Sequence, residues 1–593
     1  MPVFFGFISD KQSVLETEIK VSDVVRQQDR FIDDEIEVNT NGLYGRFFRH
    51  TTKKFEKEKV FFQNESVVYI LDGIVLNKNK LFKEYQLDQN ENMASLLERM
   101  RKTVPENFFN EFRGSFSGGF LDKDQSIFTL YTNHIGDKEI FYYLDKEKNT
   151  LYFSTDFENL VNLAHIHSGM KFKLNSNAAY SLMTHGHTLC NDTLFEEVYR
   201  LTPGHYISYS GTKFEKKEYF HLKNDPIPIG EDEALQKIDT YFRNAIKMAF
   251  EKDLEYGYKH LVALSGGLDS RMTAWVAYEM GYTTMLNYTF SQSDYLDEKI
   301  PKQITNYLKT EWIFKSLDNG TYLYNYFEES VRISGARSQS STVAHTLSML
   351  NNLNMENFGL VHTGQLGDVI IGTYYDEGKK QPFKPGAGVV SNKLLSNVHY
   401  SEANSVEIKD QELFKFYNRG FTGVNVGLKP MYEYTETVSP FLDIDFLEFC
   451  LSLPLEYRSG HSIYIKWINQ FYPGAADFIY EKVNGKINKK TITVKGIPVP
   501  WTSIPAAARK IIKKKLGLKL TSKNHMNPMD YWYKTNVELR NFYFMQFQEN
   551  IDFVKDKTLK KDCQELFEKG SALEKDQVIT LLNFLREMKE LSH

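Results

Sequence analysis

The sequence predicts a sheet-rich α+β region, then an α/β region built on a parallel sheet, then a helical carboxyl-terminal extension. Three observations carry this order. Residues 1–215 are dominated by aromatic and β-branched runs broken by Gly, Asp-Lys and Lys-Asn turns. Residues 216–500 alternate short apolar runs with stretches of helical periodicity, the pattern of a parallel sheet covered on both faces. Residues 501–593 are polar and helical. A chain of 593 residues is also too long for one core, which fits two or three domains.

In the first region, VFFGFIS, SVVYILDGIVL, SFSGGFLDKDQSIFTLYTN, EIFYYLDKEKNTLYFSTD and GHYISYSGTKFEKKEYF read as strands. LLERMRKTV near Leu96 and NAAYSLMTHG from Asn177 read as helices. NDPIPIGED, after Lys223, is a polar Pro/Gly linker. Beyond it EDEALQKIDTYFRNAIKMAFEKDLE, SRMTAWVAYEM and DEKIPKQITNYLKT are helical, and HLVALSG, TTMLNYTF, EWIFKSL and GLVHTGQLGD are strands. In parallel sheets ligands collect at the carboxyl ends of strands, where both glycine clusters fall: Ser265-Gly266-Gly267 and Gly364-Gln365-Leu366-Gly367.

Composition excludes several classes. The 72 basic residues against 77 acidic ones give a net charge of -5, which is no footprint for nucleic acid. The basic stretch AARKIIKKKLGLKL reads as a solvated helix face. The 3 cysteines, Cys190, Cys450 and Cys563, form no CxxC or metal-ligand spacing, which fits a reducing compartment. MPVFFGFISD lacks the basic start of a signal peptide and no long apolar run could span a membrane, so a cytoplasmic location is expected.

LVALSGGLDS, residues 261–270, carries the most chemistry. Two glycines end a buried strand and let a backbone turn tightly against a ligand, while the next helix aims its free N–H groups at the same place. Two serine hydroxyls add donors, so the loop suits a phosphate. Asp269 would repel that phosphate unless a cation lay between them, which implies Mg2+. The loop is not the Walker type. SGGLDS resembles the pyrophosphate-binding loop of ATP pyrophosphatases, enzymes that cleave ATP between its α and β phosphates.

With the other motifs the chain resembles the asparagine synthetase B family over residues 1 to about 500. DGIVLNKNKL, FRGSFSGGFLDKDQ, NHIGDKEIFYY, LYFSTDFENL and LTPGHYISY match family blocks in order, followed by SGGLDS, HTGQLGD, SPFLDIDFLEFCLSLP and KGIPVP. The resemblance implies an Ntn-hydrolase-like αββα domain (1–215), an adenine nucleotide α-hydrolase-like ATP-pyrophosphatase domain (216–500) and a helical extension (501–593). It implies ATP and Mg2+ as cofactors. Ser265, Gly266, Gly267, Asp269 and Ser270 would hold the phosphates. Leu264, Thr289, Phe290, Thr363 and Gly364 would line the adenosine, and Asp269 and Asp368 would ligate the metal. Lys495 would stabilise transition-state charge, and Glu436 and Gln365 occupy catalytic positions. The family often forms dimers, so a homodimer is among the implied partners; nucleic acid and membrane are not.

The chain departs from the family at the glutaminase site. Residue 2 is Pro2 where the family has a nucleophilic cysteine, and the oxyanion-hole Asn-Gly reads Asp72-Gly73. QNENMASLLERM offers no counterpart of the aspartate that grips the glutamine amino group. The expected domain thus has the glutaminase fold without its chemistry, as in β-lactam synthetases and lasso peptide cyclases. Gln365 stands where relatives carry Glu or Tyr, and an amide cannot act as a base; Glu436, Tyr434 or Tyr432 remain for that role. Val369 replaces an acidic neighbour of the metal ligand, and the long connection from Gly372 to Lys429 points to a non-standard acceptor. The expected activity is ATP-dependent amide formation between a small-molecule or peptide carboxylate and an amine. Ammonia-dependent asparagine synthesis and a nucleotide-binding pseudoenzyme are the alternatives.

Overall fold

The computed structural model describes residues 2–13, 18–26, 30–88, 90–374, 380–400, 410–489, 491–494, 497–500 and 522–592. Lys495, and the basic stretch from Ala507 to Leu520, lie outside the described residues.

The first region folds as two stacked antiparallel sheets of six strands each. One runs Val198–Arg200, Phe141–Asp145, Thr150–Ser154, Val3–Asp10, Leu43–Thr52, Phe31–Asn39; the other runs Phe214–Glu218, His205–Tyr209, Ile127–Thr132, Gly114–Asp122, Val67–Val75, Val60–Gln63. Period-two alternation assigns the faces. Phe4 and Ile8 of one sheet meet Val68 and Ile70 of the other in a shared core. Val3, Phe5 and Phe7 point outward onto helices Phe157–Ser168 and Ser176–His185, while Val67, Tyr69 and Leu71 point onto Met93–Thr103. The layers are therefore helix, sheet, sheet, helix. The strand pair Phe31–Asn39 and Leu43–Thr52 was not among the expected strands. FIDDEIEVN is acidic on its exposed face, and only Ile36 and Val38 reach the core.

After residues 221–230, which form no regular element, helix Glu231–Glu255 leads into a five-stranded parallel sheet. Its order is Glu311–Ser316, Met285–Ser291, Lys259–Ala263, Phe358–His362, Thr437–Val438. The chain builds outward on one side of Lys259–Ala263, then returns to lay Phe358–His362 on the other. This places a topological switch point between the two strands that end in glycine loops.

The described part of the carboxyl-terminal region is helical, as its sequence predicts, and it is packed into the core. Ala572–Glu587 is buried over most of its length and shares one core with Phe157–Ser168, Ser176–His185 and Phe327–Ser334. Its polar composition reflects a buried network. Asp576 accepts hydrogen bonds from the Ser340 hydroxyl (2.7 Å), the Ser341 N–H (3.1 Å) and the Tyr543 hydroxyl (3.1 Å). Among the described residues no helix is long and apolar enough to cross a membrane.

Candidate active site

Strand Lys259–Ala263 ends in Leu264–Leu268, and helix Asp269–Glu279 begins at once. Inside the turn the Ser265 N–H donates to Ser270 Oγ (2.9 Å), the two serine oxygens lie 2.9 Å apart, and the Gly267 N–H donates to Ser265 Oγ (3.2 Å). Gly266 is held from both sides. Its N–H donates to Asp297 Oδ1 (2.7 Å), and its carbonyl accepts from Arg271 Nη2 (3.1 Å) and the Glu481 N–H (3.2 Å). Arg271 is fully buried and also donates to the carbonyls of Ala475, Phe478 and Ile479.

The second loop closes directly on the first. A Cβ on Gly364 would lie 2.2 Å from the Ser270 nitrogen, and one on Gly367 2.6 Å from Asp269 Cγ. Only glycine permits that approach. It brings Asp269 Oδ2 to the Asp368 N–H (2.9 Å), while Asp269 Oδ1 accepts from the Tyr464 hydroxyl (2.9 Å). Asp368 Oδ2 accepts from Thr373 Oγ1 (2.9 Å) and lies 3.5 Å from Lys482 Nζ. Thr373 Oγ1 in turn lies 2.7 Å from His461 Nε2. Burial, followed by the charge of Asp368, pushes the Asp269 carboxyl up to about 8. Two carboxylates from two strand ends, with one lysine nearby, suit a divalent cation.

These loops open on a cavity of about 440 Å³. Leu264, Ser265, Gly267, Asp269, Ser270, Thr289, Phe290, Thr363, Gly364 and Gln365 all line it. Thr289 Oγ1 donates to the Leu264 carbonyl (2.5 Å) and accepts from Trp312 Nε1 (2.9 Å). Gln365 Nε2 donates to the Val424 carbonyl (3.2 Å). Gly266 and Asp368 do not line it, and the Asp368 side chain is one-third exposed. Glu436 does not line the cavity: it is buried and ion-paired with Lys138 of the first region (2.7 Å). Tyr432 stacks on that same lysine at 4.4 Å.

Sequence reading missed Asp297, Arg271 and Tyr464, and in the cavity wall His185, His187, His345 and Arg419. Only the loop motif was legible. Arg271 follows the loop directly, but the carbonyls that define its role lie 204–208 residues away, and no local spacing marks the others.

Pro2 and Asp72 line a different, much smaller pocket of about 20 Å³ with Asp137, Lys138, Glu139, Thr155, Lys429 and Tyr432. Lys138 Nζ sits 3.3 Å from Asp72 Oδ2, and Lys59 Nζ 3.9 Å from Oδ1. Burial opposes ionisation of Asp72, but Lys138 and Lys59 outweigh it and hold the carboxyl below its ordinary value.

Residues 57–220 match the model of a glutamine amidotransferase domain. The match agrees with the two-sheet sandwich and lies wholly within the first region and its linker. No curated protein matches the chain. One similar solved structure is that of an allosteric regulatory enzyme of purine biosynthesis; the two share 9% identity over 53% of this chain and 80% of that one, with a TM-score of 0.25. A likeness that slight carries no argument.

Proposed function

We propose that the protein is an ATP-dependent amide-forming synthetase that does not hydrolyse glutamine itself. The observation that carries this reading is the interlock of the two strand-end loops, which sets Asp269 against Asp368 beside the cavity. The residues present fit Mg2+, because burial and Asp368 leave the Asp269 carboxyl poorly ionised without a further cation. Bound there, Mg2+ would neutralise the phosphates of ATP. Ser265, Gly267 and Ser270 would take up phosphate oxygens, and Leu264, Thr289, Phe290, Thr363 and Gly364 would bound the adenosine. A substrate carboxylate would attack the α-phosphorus and expel pyrophosphate. An amine would then attack the acyl carbon, releasing AMP and losing its proton.

Two observations support loss of glutaminase chemistry. The Pro2–Asp72 pocket of about 20 Å³ has room for about one water and not for a glutamine side chain. Asp72 is also an ionised carboxylate where an oxyanion would develop.

The test is AMP and pyrophosphate release from Mg2+-ATP with aspartate plus ammonium, aspartate plus glutamine, or neither. AMP and asparagine with ammonium alone would make the protein an ammonia-dependent asparagine synthetase. AMP with glutamine as sole nitrogen source would refute the glutaminase reading. Silence throughout would exclude aspartate as the carboxylate, and failure to bind Mg2+-ATP by calorimetry would refute the nucleotide site itself.

A further inference from the structure

The described lining of the cavity is charged at two places only. Among its described lining residues Asp269 is the single carboxylate and Arg419 the single cation other than histidine. Arg419 has no acidic partner among the described residues, and its side chain is exposed at the cavity wall. Two glycines in its own segment, Phe416–Val424, fix where it stands. A Cβ on Gly420 would come within 3.3 Å of Leu366 in the second loop, and one on Gly423 within 2.8 Å of His187 Nδ1. Arg419 is thereby held between the second glycine loop and residues 185–187, which belong to the amino-terminal sandwich. His187 Nε2 is buried without a hydrogen-bond partner. Burial and the nearby Arg419 hold His185 down to about 4, and His187 lies well below its ordinary value, so both rings are neutral at pH 7 and leave the guanidinium charge uncompensated.

We propose that Arg419, with His185 and His187 from the sandwich domain, forms an anion subsite in this cavity, and that the carboxylate substrate carries a second anionic group seated on it. The inference rests on the synthetase reading above. A guanidinium binds a carboxylate through two parallel hydrogen bonds, and the neutral imidazoles bound the subsite without adding charge. The arrangement also gives the sandwich domain a role beyond scaffolding: it supplies one wall of the pocket in which the substrate is chosen.

The test is calorimetric titration of the full chain with succinate, glutarate and aspartate, against butyrate and valerate. Each is run with and without Mg2+ and a non-hydrolysable α,β-methylene ATP, for the wild type and Arg419→Gln. The expected result is at least tenfold tighter binding of a dicarboxylate than of the monocarboxylate of equal length. Arg419→Gln should abolish that preference, with nucleotide affinity within twofold of wild type and an unchanged melting temperature. No dicarboxylate preference in the wild type, or a preference that survives Arg419→Gln, would overturn the proposal. So would a loss of nucleotide affinity in the variant, which would assign Arg419 to phosphate instead. Failure of the wild type to bind nucleotide would count against the synthetase reading alone, since the dicarboxylate titration is also read without nucleotide.

Discussion

Two sets of carboxylates in this molecule are treated in opposite ways. At the strand ends Asp269 faces Asp368 with one lysine at 3.5 Å, and the cavity beside them is about 440 Å³. In the sandwich domain Lys138 lies 3.3 Å from Asp72 and 2.7 Å from Glu436, a second lysine lies 3.9 Å from Asp72, and the pocket is about 20 Å³. Like charges set together with less than a full counter-charge destabilise a fold, and such pairs cluster at functional sites. On the synthetase reading the first set is completed by Mg2+ from solution; the second is already complete.

The comparison breaks most visibly at Asp269. Asp269→Asn should cut AMP release by more than about a hundredfold, beyond the loss expected for groups that merely support metal ligands. The same change should stabilise the ligand-free protein. The folded-state carboxyl titrates near 8 against an ordinary 3.8, so the folded chain holds the proton more tightly than the unfolded one. Stability therefore falls as pH rises through that window, and the asparagine removes the fall. Melting curves should show the variant above wild type at pH 8 and level with it at pH 4. Equal melting temperatures at pH 8 would mean that the carboxylate pair is not strained.

At the completed cluster the sign reverses. Lys138→Ala leaves Asp72 and Glu436 buried without their shared cation, which costs about 3–5 kcal/mol. Urea unfolding measures it. Adding Asp72→Asn and Glu436→Gln should recover most of that loss, and no recovery would show that Lys138 acts through packing. Because the Asp72 carboxyl is held below its ordinary value, its contribution is present above the unfolded-state value of 3.8 and lost as pH falls through the folded one. Acid should thus weaken this cluster while it relieves the other.

The two regions were also unequally legible in the sequence. SGGLDS and GQLGD sit on unbroken stretches of chain, and strand-to-glycine-to-helix order fixes their geometry locally, so their cavity-lining residues could be named in advance. Alternating apolar runs likewise revealed most strands, but not the acidic edge strand Phe31–Asn39. Residues whose role depends on a distant partner could not be read. Glu436 reads as a candidate base from its sequence alone, and the lysine that pairs with it lies in the amino-terminal sandwich. The carboxyl-terminal helices read as polar and helical, and their burial was not legible because their polar groups find partners in Ser340, Ser341 and Tyr543 rather than in water.

The smallest expected effect probes how the open site is kept in shape. Asp297 touches neither the cavity nor Asp269; it accepts the Gly266 N–H at 2.7 Å, while Arg271 holds the carbonyl of the same residue. It is a positioning residue for the loop that, on the synthetase reading, takes up phosphate. Asp297→Ala removes one buried, charge-assisted hydrogen bond of about 1.5–3 kcal/mol, which corresponds to about a 10- to 100-fold weaker affinity if the loop carries the full loss. Asp297→Asn keeps an acceptor oxygen in the same place and should stay close to wild type. The separation between ATP and AMP decides the point. A loop that grips pyrophosphate should lose ATP affinity in Asp297→Ala and keep most of its affinity for AMP, whereas general unfolding would weaken both equally.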